Sequence, residues 1–176
     1  YQADFAFTPR YNIVPTQEAS IVALGADGRR EHKRALWGLI PVWTKSSTVP
    51  ASLINARAET VATKPSFRTA FYKRRCLVLA DGFYEWQKRP EGKQPIYIRM
   101  REGEPFAFGG LWVQWRDEER VVDSFCILTV EPNELCRKVH DRMPLILREG
   151  DYGAWLDSGV GMEKVAGLMK PYDAGA

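Results

Sequence analysis

The sequence predicts an α+β domain: a curved, mainly antiparallel β-sheet with a barrel-like core and a few peripheral helices. Three observations lead there. Short apolar runs recur along the chain, with Pro and Gly as punctuation between them. Strand-like segments outnumber helix-like ones. The strand–helix–strand alternation of a doubly wound parallel sheet is absent, which leaves the antiparallel class. At 176 residues, with no internal repeat and no low-complexity linker, residues 1–176 read as a single domain.

Taken in order, the expected strands are Ala19–Leu24, Arg34–Leu39, Leu53–Ala58, Cys76–Ala80, Phe83–Gln87, Ile96–Arg101, Phe106–Trp112, Ser124–Val130 and Pro144–Leu147. Asp81-Gly82, lying between two of these, reads as a tight hairpin turn. The charged run Arg116–Arg120 reads as a loop between two more. Pro65–Arg75 is the strongest helix. Phe67, Ala70 and Phe71 recur at helical spacing, Pro65 suits the first turn, and Lys73, Arg74 and Arg75 suit the C-terminal end. Pro132–Val139, Asp151–Leu156 and Met162–Met169 read as shorter helices.

Composition excludes several classes. Mean hydropathy is −0.34, and no apolar run approaches the roughly 20 residues of a membrane-spanning helix. Residues 1–10 carry Asp4 and lack a basic start followed by an apolar stretch, so no signal peptide is expected. Cys76, Cys126 and Cys136 are odd in number and widely spaced, which fits a reducing compartment and a cytoplasmic protein. Two distant histidines and three dispersed cysteines provide no metal-ligand set. Phosphate loops, dinucleotide fingerprints and nucleophile elbows are missing, and no cofactor is expected.

Charge is lopsided. Residues 1–80 hold 12 Lys/Arg against 5 Asp/Glu, a net +7, and residues 81–176 hold 13 against 17. A basic half attracts acidic partners, nucleic acid among them, although it also describes a plain solvated surface.

Four stretches interrupt the apolar pattern. If Asn55–Thr60 is extended, Asn55, Arg57 and Glu59 share one face. That face either forms a hydrogen-bonded site or meets solvent. Glu85 stands between Tyr84 and Trp86. Desolvation there would raise its pKa for acid–base work, and the alternative is an exposed edge-strand Glu. His140, in His140-Asp141-Arg142, is either a proton carrier or a cap on the preceding helix. In Trp37–Trp43, two tryptophans flank Gly38 and Pro41, forming a stacking shelf for bases or part of the core. His32 reads as a surface residue. Cys76 and Cys126 read as buried fillers.

The order of these stretches carries more than any one of them. Arg10–Gln17, Trp37–Trp43, Asn55–Thr60, Arg75–Trp86 (RCLVLADGFYEW), Phe108–Trp112 (FGGLW) and His140–Leu147 (HDRMPLIL) together resemble the SOS response-associated peptidase (SRAP) family. The resemblance runs from about Arg10 to Leu156. It implies recognition of abasic sites in single-stranded DNA during the DNA-damage (SOS) response. It also implies a thiazolidine crosslink between the opened sugar and an N-terminal cysteine, autoproteolytic exposure of that cysteine, and lyase-like activity. On the matched positions it implies Asn55, Glu85 and His140 as catalytic residues. Arg57 and Arg142 would hold DNA phosphates, with Trp37, Pro41 and Trp43 against flanking bases. A monomer working in the cytoplasm, nucleoid-associated when DNA-bound, is the matching expectation.

The sequence departs from the family pattern at three places. Family members begin Met-Cys-Gly-Arg, whereas this sequence begins at Tyr1 and has no cysteine before Cys76. A preceding segment is therefore expected. A free amine alone, with pKa near 8, still forms a Schiff base with an aldehyde, but Tyr1 has no thiol to trap it. Leu79 replaces a usual proline, and Lys170–Ala176 stops short of a further strand. The competing expectation is a non-covalent single-stranded DNA-binding module without the nucleophile. A peptidase acting on other proteins lacks a visible nucleophile–base pair.

Overall fold

The computed structural model describes residues 10–45 and 47–175. The readings on residues 1–9, including Tyr1 and Asp4, lie outside the described residues.

The strands are β1 (Glu18–Leu24), β2 (Arg30–Trp37), β3 (Asn55–Arg57), β4 (Arg75–Ala80), β5 (Phe83–Arg89), β6 (Gly92–Ile98), β7 (Phe106–Arg116), β8 (Val121–Val130), β9 (Met143–Pro144) and β10 (Ile146–Leu147). The helices are α1 (Pro65–Lys73), α2 (Tyr152–Leu156) and α3 (Met162–Leu168). β1 pairs antiparallel with β2 and β4, β4 with β7, and β7 with β8. A parallel pairing of β2 with β8, Leu36 opposite Ser124 and Trp37 opposite Phe125, closes these five strands into a barrel. β3 adds parallel to β8, and β9 and β10 add antiparallel to β8 and β7. Closure leaves each of the five barrel strands paired along both edges.

The barrel is small, so its walls approach closely. Gly109-Gly110 in β7 make room for that. A Cβ on Gly110 would lie 2.8 Å from Val78 Cγ2 and 3.0 Å from Cys76 Sγ, and one on Gly109 would lie 2.7 Å from Leu145 Cδ2. The apolar runs read from the sequence fill the core, with Ile21, Leu111, Phe125, Leu128 and Trp155 among its fully buried members.

α1 buries Phe67, Ala70 and Phe71 and has Pro65 in its first turn, as its pattern predicts. The next residue but one after the helix, Arg75, is buried and forms no ion pair with a carboxylate among the described residues, although the Asp157 charge acts on it. Its guanidinium donates to the Phe71 and Tyr72 carbonyls at the end of α1 and to the Trp155 and Asp157 carbonyls at the end of α2. The Trp155 indole N–H returns a bond to the Cys76 carbonyl at 2.9 Å. A buried cation is costly, and here the negative ends of two helices and charge-assisted hydrogen bonds offset that cost. Desolvation still pulls the Arg75 pKa down.

Two local expectations are overturned. Asp81-Gly82 does not close a hairpin. β4 pairs with β1 and β7, whereas β5 pairs only with β6. The dipeptide turns the chain out of the barrel into a separate two-stranded sheet. Gly82 is required by the Tyr97 ring, which would sit 2.4 Å from a Cβ there. Pro132–Val139 is not a helix but a single 3-10 turn, Cys136–Lys138. The Asn133 side chain takes the Cys136 N–H at 2.9 Å and caps the turn's start. Val139 and His140 both donate to the Cys136 carbonyl and end it.

The strand readings err mainly at their ends. β2 begins at Arg30, β6 spans Gly92–Ile98, and β7 and β8 run on to Arg116 and from Val121 around the expected charged loop. Asp117 Oδ1 accepts the Glu119 and Arg120 N–H groups and shapes that loop. Among the described residues no helix is long and apolar enough to cross a membrane.

Candidate nucleic-acid interface and catalytic site

A cleft of about 1610 Å³ opens between the barrel and the β5–β6 hairpin. Asn55, Arg57, Glu85, His140, Arg142 and Trp37 line it, though they come from four separate stretches of chain. Pro41 and Trp43 do not line it. Pro41 is buried and Trp43 is 59% exposed on the adjoining turn. That turn is held by a Trp115 indole bond to the Thr44 carbonyl at 2.9 Å.

β3 presents Asn55 and Arg57 because a strand alternates its side chains. Its pattern is exposed, buried, exposed, with Ala56 turned into the core. Arg57 is exposed, and its guanidinium makes no hydrogen bond or ion pair among the described residues, which leaves it open to an anion. Trp37 is tied down instead. Its indole donates to the Ile54 carbonyl at 3.0 Å, and its ring stacks on Phe125 with centroids 6.4 Å apart.

Glu85 lies on the half-buried face of β5 with Phe83 and Gln87, while Tyr84 and Trp86 face out. Burial raises the Glu85 pKa above the ordinary carboxylate range, and the charge of Asp141 adds to that. His140 and the Trp86 backbone N–H oppose it. Net elevation keeps part of the carboxyl protonated closer to neutral pH, which suits a group that both gives and takes a proton.

His140 follows the 3-10 turn and donates its backbone N–H to the Cys136 carbonyl at 2.9 Å. Its Nδ1 is 3.1 Å from the Arg142 backbone N–H and 3.1 Å from Asp141 Oδ1. With Nδ1 unprotonated the ring accepts from Arg142. With Nδ1 protonated it donates to Asp141. The two arrangements are alternatives, set by which ring nitrogen carries the hydrogen.

Arg142 differs from Arg57. Its side chain is only 16% exposed. The guanidinium forks onto Glu59 at 2.8 and 3.0 Å and donates to the Thr129 carbonyl at 2.6 Å, with Glu131 at 3.5 Å. Only its Nε is buried without a partner. The Arg142 hydrogen bond is the main reason the Glu59 carboxyl is held below the usual range. Arg142 thus staples the His140 loop to β8 and to the turn after β3.

Sequence reasoning placed Glu59 beside Asn55 and Arg57 and missed its fork with Arg142, which joins residues far apart in the chain. It also passed over Tyr97. Strand register sets that ring opposite Tyr84, centroids 5.0 Å apart, and both line the cleft with Trp86. No local signal marks Tyr97, since only the β5–β6 pairing brings it there. His32, read as a surface residue, is half-buried on β2 and lines the cleft. Burial holds its pKa below the ordinary histidine range. The three cysteines are buried, and desolvation pushes all three thiols up, so none is disposed to act as a thiolate. Among the described residues no cluster of His, Cys, Asp and Glu is arranged to hold a metal.

A family model described as "SOS response associated peptidase (SRAP)" matches residues 1–176. The chain is 40% identical over 172 residues to the abasic site processing protein YoqW of Bacillus subtilis, covering 96% of this chain and 76% of that one. It is 31% identical over 153 residues to the abasic site processing protein YedK of Escherichia coli, covering 84% and 64%. Among solved structures, a Bacteroides thetaiotaomicron protein superposes with a TM-score of 0.82 at 30% identity, covering 91% of this chain and 71% of that one.

Proposed function

Because the chain belongs to the SOS response-associated peptidase family, we propose that it binds abasic sites in single-stranded DNA and links itself covalently to the opened sugar. One observation carries the reading: Asn55, Arg57, Glu85 and His140 converge on one cleft from distant stretches, and Glu85 is desolvated there.

The opened sugar presents an aldehyde. An N-terminal cysteine of the kind the family resemblance implies attacks with its amine nitrogen. The carbinolamine loses water to give an imine. The thiol then adds to the imine carbon, its proton passes to nitrogen, and a thiazolidine ring closes. Glu85 gives the proton that lets water leave and takes it back on reversal. His140 moves the proton on the sugar side, and Asn55 holds the opened sugar by hydrogen bonds. Arg57 takes the flanking phosphate. Arg142, committed to Glu59 and the Thr129 carbonyl, holds the His140 loop, and a DNA phosphate would reach it only by displacing the Glu131 contact. Trp37 forms the apolar side of the DNA path within the cleft and the exposed Trp43 extends it on the adjoining turn, while Pro41 is buried and shapes that turn without meeting DNA. Cleavage of the preceding residue in the same cleft exposes the cysteine, and strand breakage next to the sugar follows from the imine. The protein works as a monomer, in the cytoplasm and on DNA, within the DNA-damage response.

The test is intact mass. The chain preceded by Met-Cys-Gly-Arg is mixed with an abasic single-stranded oligonucleotide and denatured. Loss of the initiator Met and gain of one oligonucleotide is expected. No adduct overturns the covalent reading.

A second reading, non-covalent binding by the cleft alone, is favoured by the burial of every cysteine in the sequence. Affinity would then fall steeply with salt, and a flat response would sink it.

A further inference from the structure

The β5–β6 hairpin is attached to the rest of the molecule mainly at its root. Phe83 packs edge-on against Phe108 at 5.7 Å, Ile98 and Met100 meet the core, and the Tyr97 hydroxyl donates to the Asp81 carbonyl. Neither strand has another sheet partner. A two-stranded sheet of this kind is marginal by itself. Glu85 nevertheless has to stay near His140, which belongs to a different part of the chain.

One side chain spans that gap. Gln87 lies two residues beyond Glu85 on the same face of β5. Its Nε2 donates to the Lys138 carbonyl at 2.8 Å. Lys138 ends the 3-10 turn, and His140 is two residues on, its own N–H bound back to Cys136. The other end of the amide is also engaged. Arg89 Nε and Nη2 both donate to Gln87 Oε1 at 3.1 Å. This fixes which way the amide points, since Oε1 must accept and Nε2 must donate. The run from Arg89 through Gln87 to Lys138 is a strut between the hairpin and the His140 segment.

We infer that Gln87 is a positioning residue that sets the separation of Glu85 and His140, with Arg89 orienting its amide. The inference rests on the proposed reaction for its consequence, but its geometry is independent of it. Glu85 and His140 line the same cleft, and the charges of His140 and Asp141 act on the Glu85 carboxyl. Releasing the strut lets the hairpin swing from that segment, rehydrates Glu85, and removes the near-attack alignment of the two proton carriers.

The test compares Gln87→Met, which keeps length and loses both polar ends, with Gln87→Glu, which keeps the acceptor for Arg89 and loses the donor. Two measurements are made. One is the single-turnover rate of adduct formation against pH, using the chain with its Met-Cys-Gly-Arg start and an abasic single-stranded oligonucleotide. The other is the titration of the Glu85 carboxyl by carbon NMR in the protein alone. Gln87→Met should lower the rate roughly ten- to a hundredfold, with oligonucleotide Kd within about twofold. The limb of the pH profile reporting Glu85 should move to lower pH, toward an ordinary carboxylate, and the NMR midpoint should follow. Gln87→Glu should slow the reaction as well, and Arg89→Ala should do so less. Wild-type rate and midpoint in Gln87→Met overturn the inference. If the wild-type chain forms no adduct, the proposed function fails instead, and the NMR midpoints alone decide whether the strut holds Glu85.

Discussion

In the barrel every strand has a partner on each side, while β5 and β6 have only each other. Barrel strands β4, β7 and β8 bury most of their side chains, and the hairpin exposes Tyr84, Trp86 and Tyr97. The two regions also use charge differently. Arg75 in the barrel wall is enclosed by carbonyls at two helix ends and has no other task visible in the structure. Glu85 on the hairpin is half-buried against His140, and its ionised form is disfavoured. The lesson is a division of labour. A closed sheet tolerates a buried cation because its surroundings are fixed. An open hairpin leaves a face free, so a half-buried carboxyl can line a cleft, and the Gln87 bond to the Lys138 carbonyl is the tie proposed to hold it there.

The sharpest way to break this contrast is Arg75→Met. It removes the donors for four carbonyls at two helix ends and leaves them buried. A loss of about 3 kcal/mol or more of unfolding free energy is expected. Equilibrium urea denaturation measures it, and a loss under about 1 kcal/mol would show the clamp to be dispensable.

Glu85→Gln should act in the opposite way, on rate rather than on stability. Adduct formation or reversal should slow by about 10²-fold or more, with DNA affinity nearly unchanged. Its stability effect has a definite sign. A carboxyl whose folded pKa is raised binds more protons in the folded state than in the unfolded one, so folding weakens as pH rises through that range. Glu85→Gln should therefore be slightly more stable than wild type at neutral pH. The gap should close as pH falls below the ordinary carboxylate range. Urea midpoints at neutral and acid pH test this, and a variant less stable at neutral pH would make Glu85 structural.

The smallest effect separates the two cleft arginines. Arg57→Ala should weaken binding of a single-stranded oligonucleotide about equally for all sequences and make the salt slope shallower by about 1. Thermal stability should hardly move, because Arg57 has no ion pair to lose among the described residues. An unchanged salt slope would remove Arg57 from the phosphate path.

Much of the barrel was legible in the sequence. Runs such as Ile21 to Leu24, Cys76 to Ala80 and Phe125 to Val130 announce strands because burying apolar alternation needs no knowledge of the partner. The helix over Pro65–Lys73 was equally plain, because its spacing, its proline and its basic end agree. Asp81-Gly82 misled because a turn signal says that the chain bends, and does not say which strands it joins. Pro132–Val139 misled because a proline opening says where a turn can start and not how far it runs, and the bonds of Val139 and His140 to the Cys136 carbonyl end it after one turn. At the site, Asn55, Arg57, Glu85 and His140 stood out as polar interruptions of apolar runs, and the family resemblance rested on the same stretches.

By itself the sequence determined the fold class, the run of strands through the barrel, the main helix and the family to which the chain belongs. These depend on local spacing and on ordered motifs, which are read along the chain. Only the tertiary structure decided that β2 closes on β8 in parallel, that Arg142 is spent on Glu59, that Tyr97 faces Tyr84, and that Gln87 reaches Lys138. Each of these pairs residues distant in sequence or set opposite one another by strand register. Such contacts follow from the closing of the barrel and the pairing of β5 with β6, and not from the composition of any one segment.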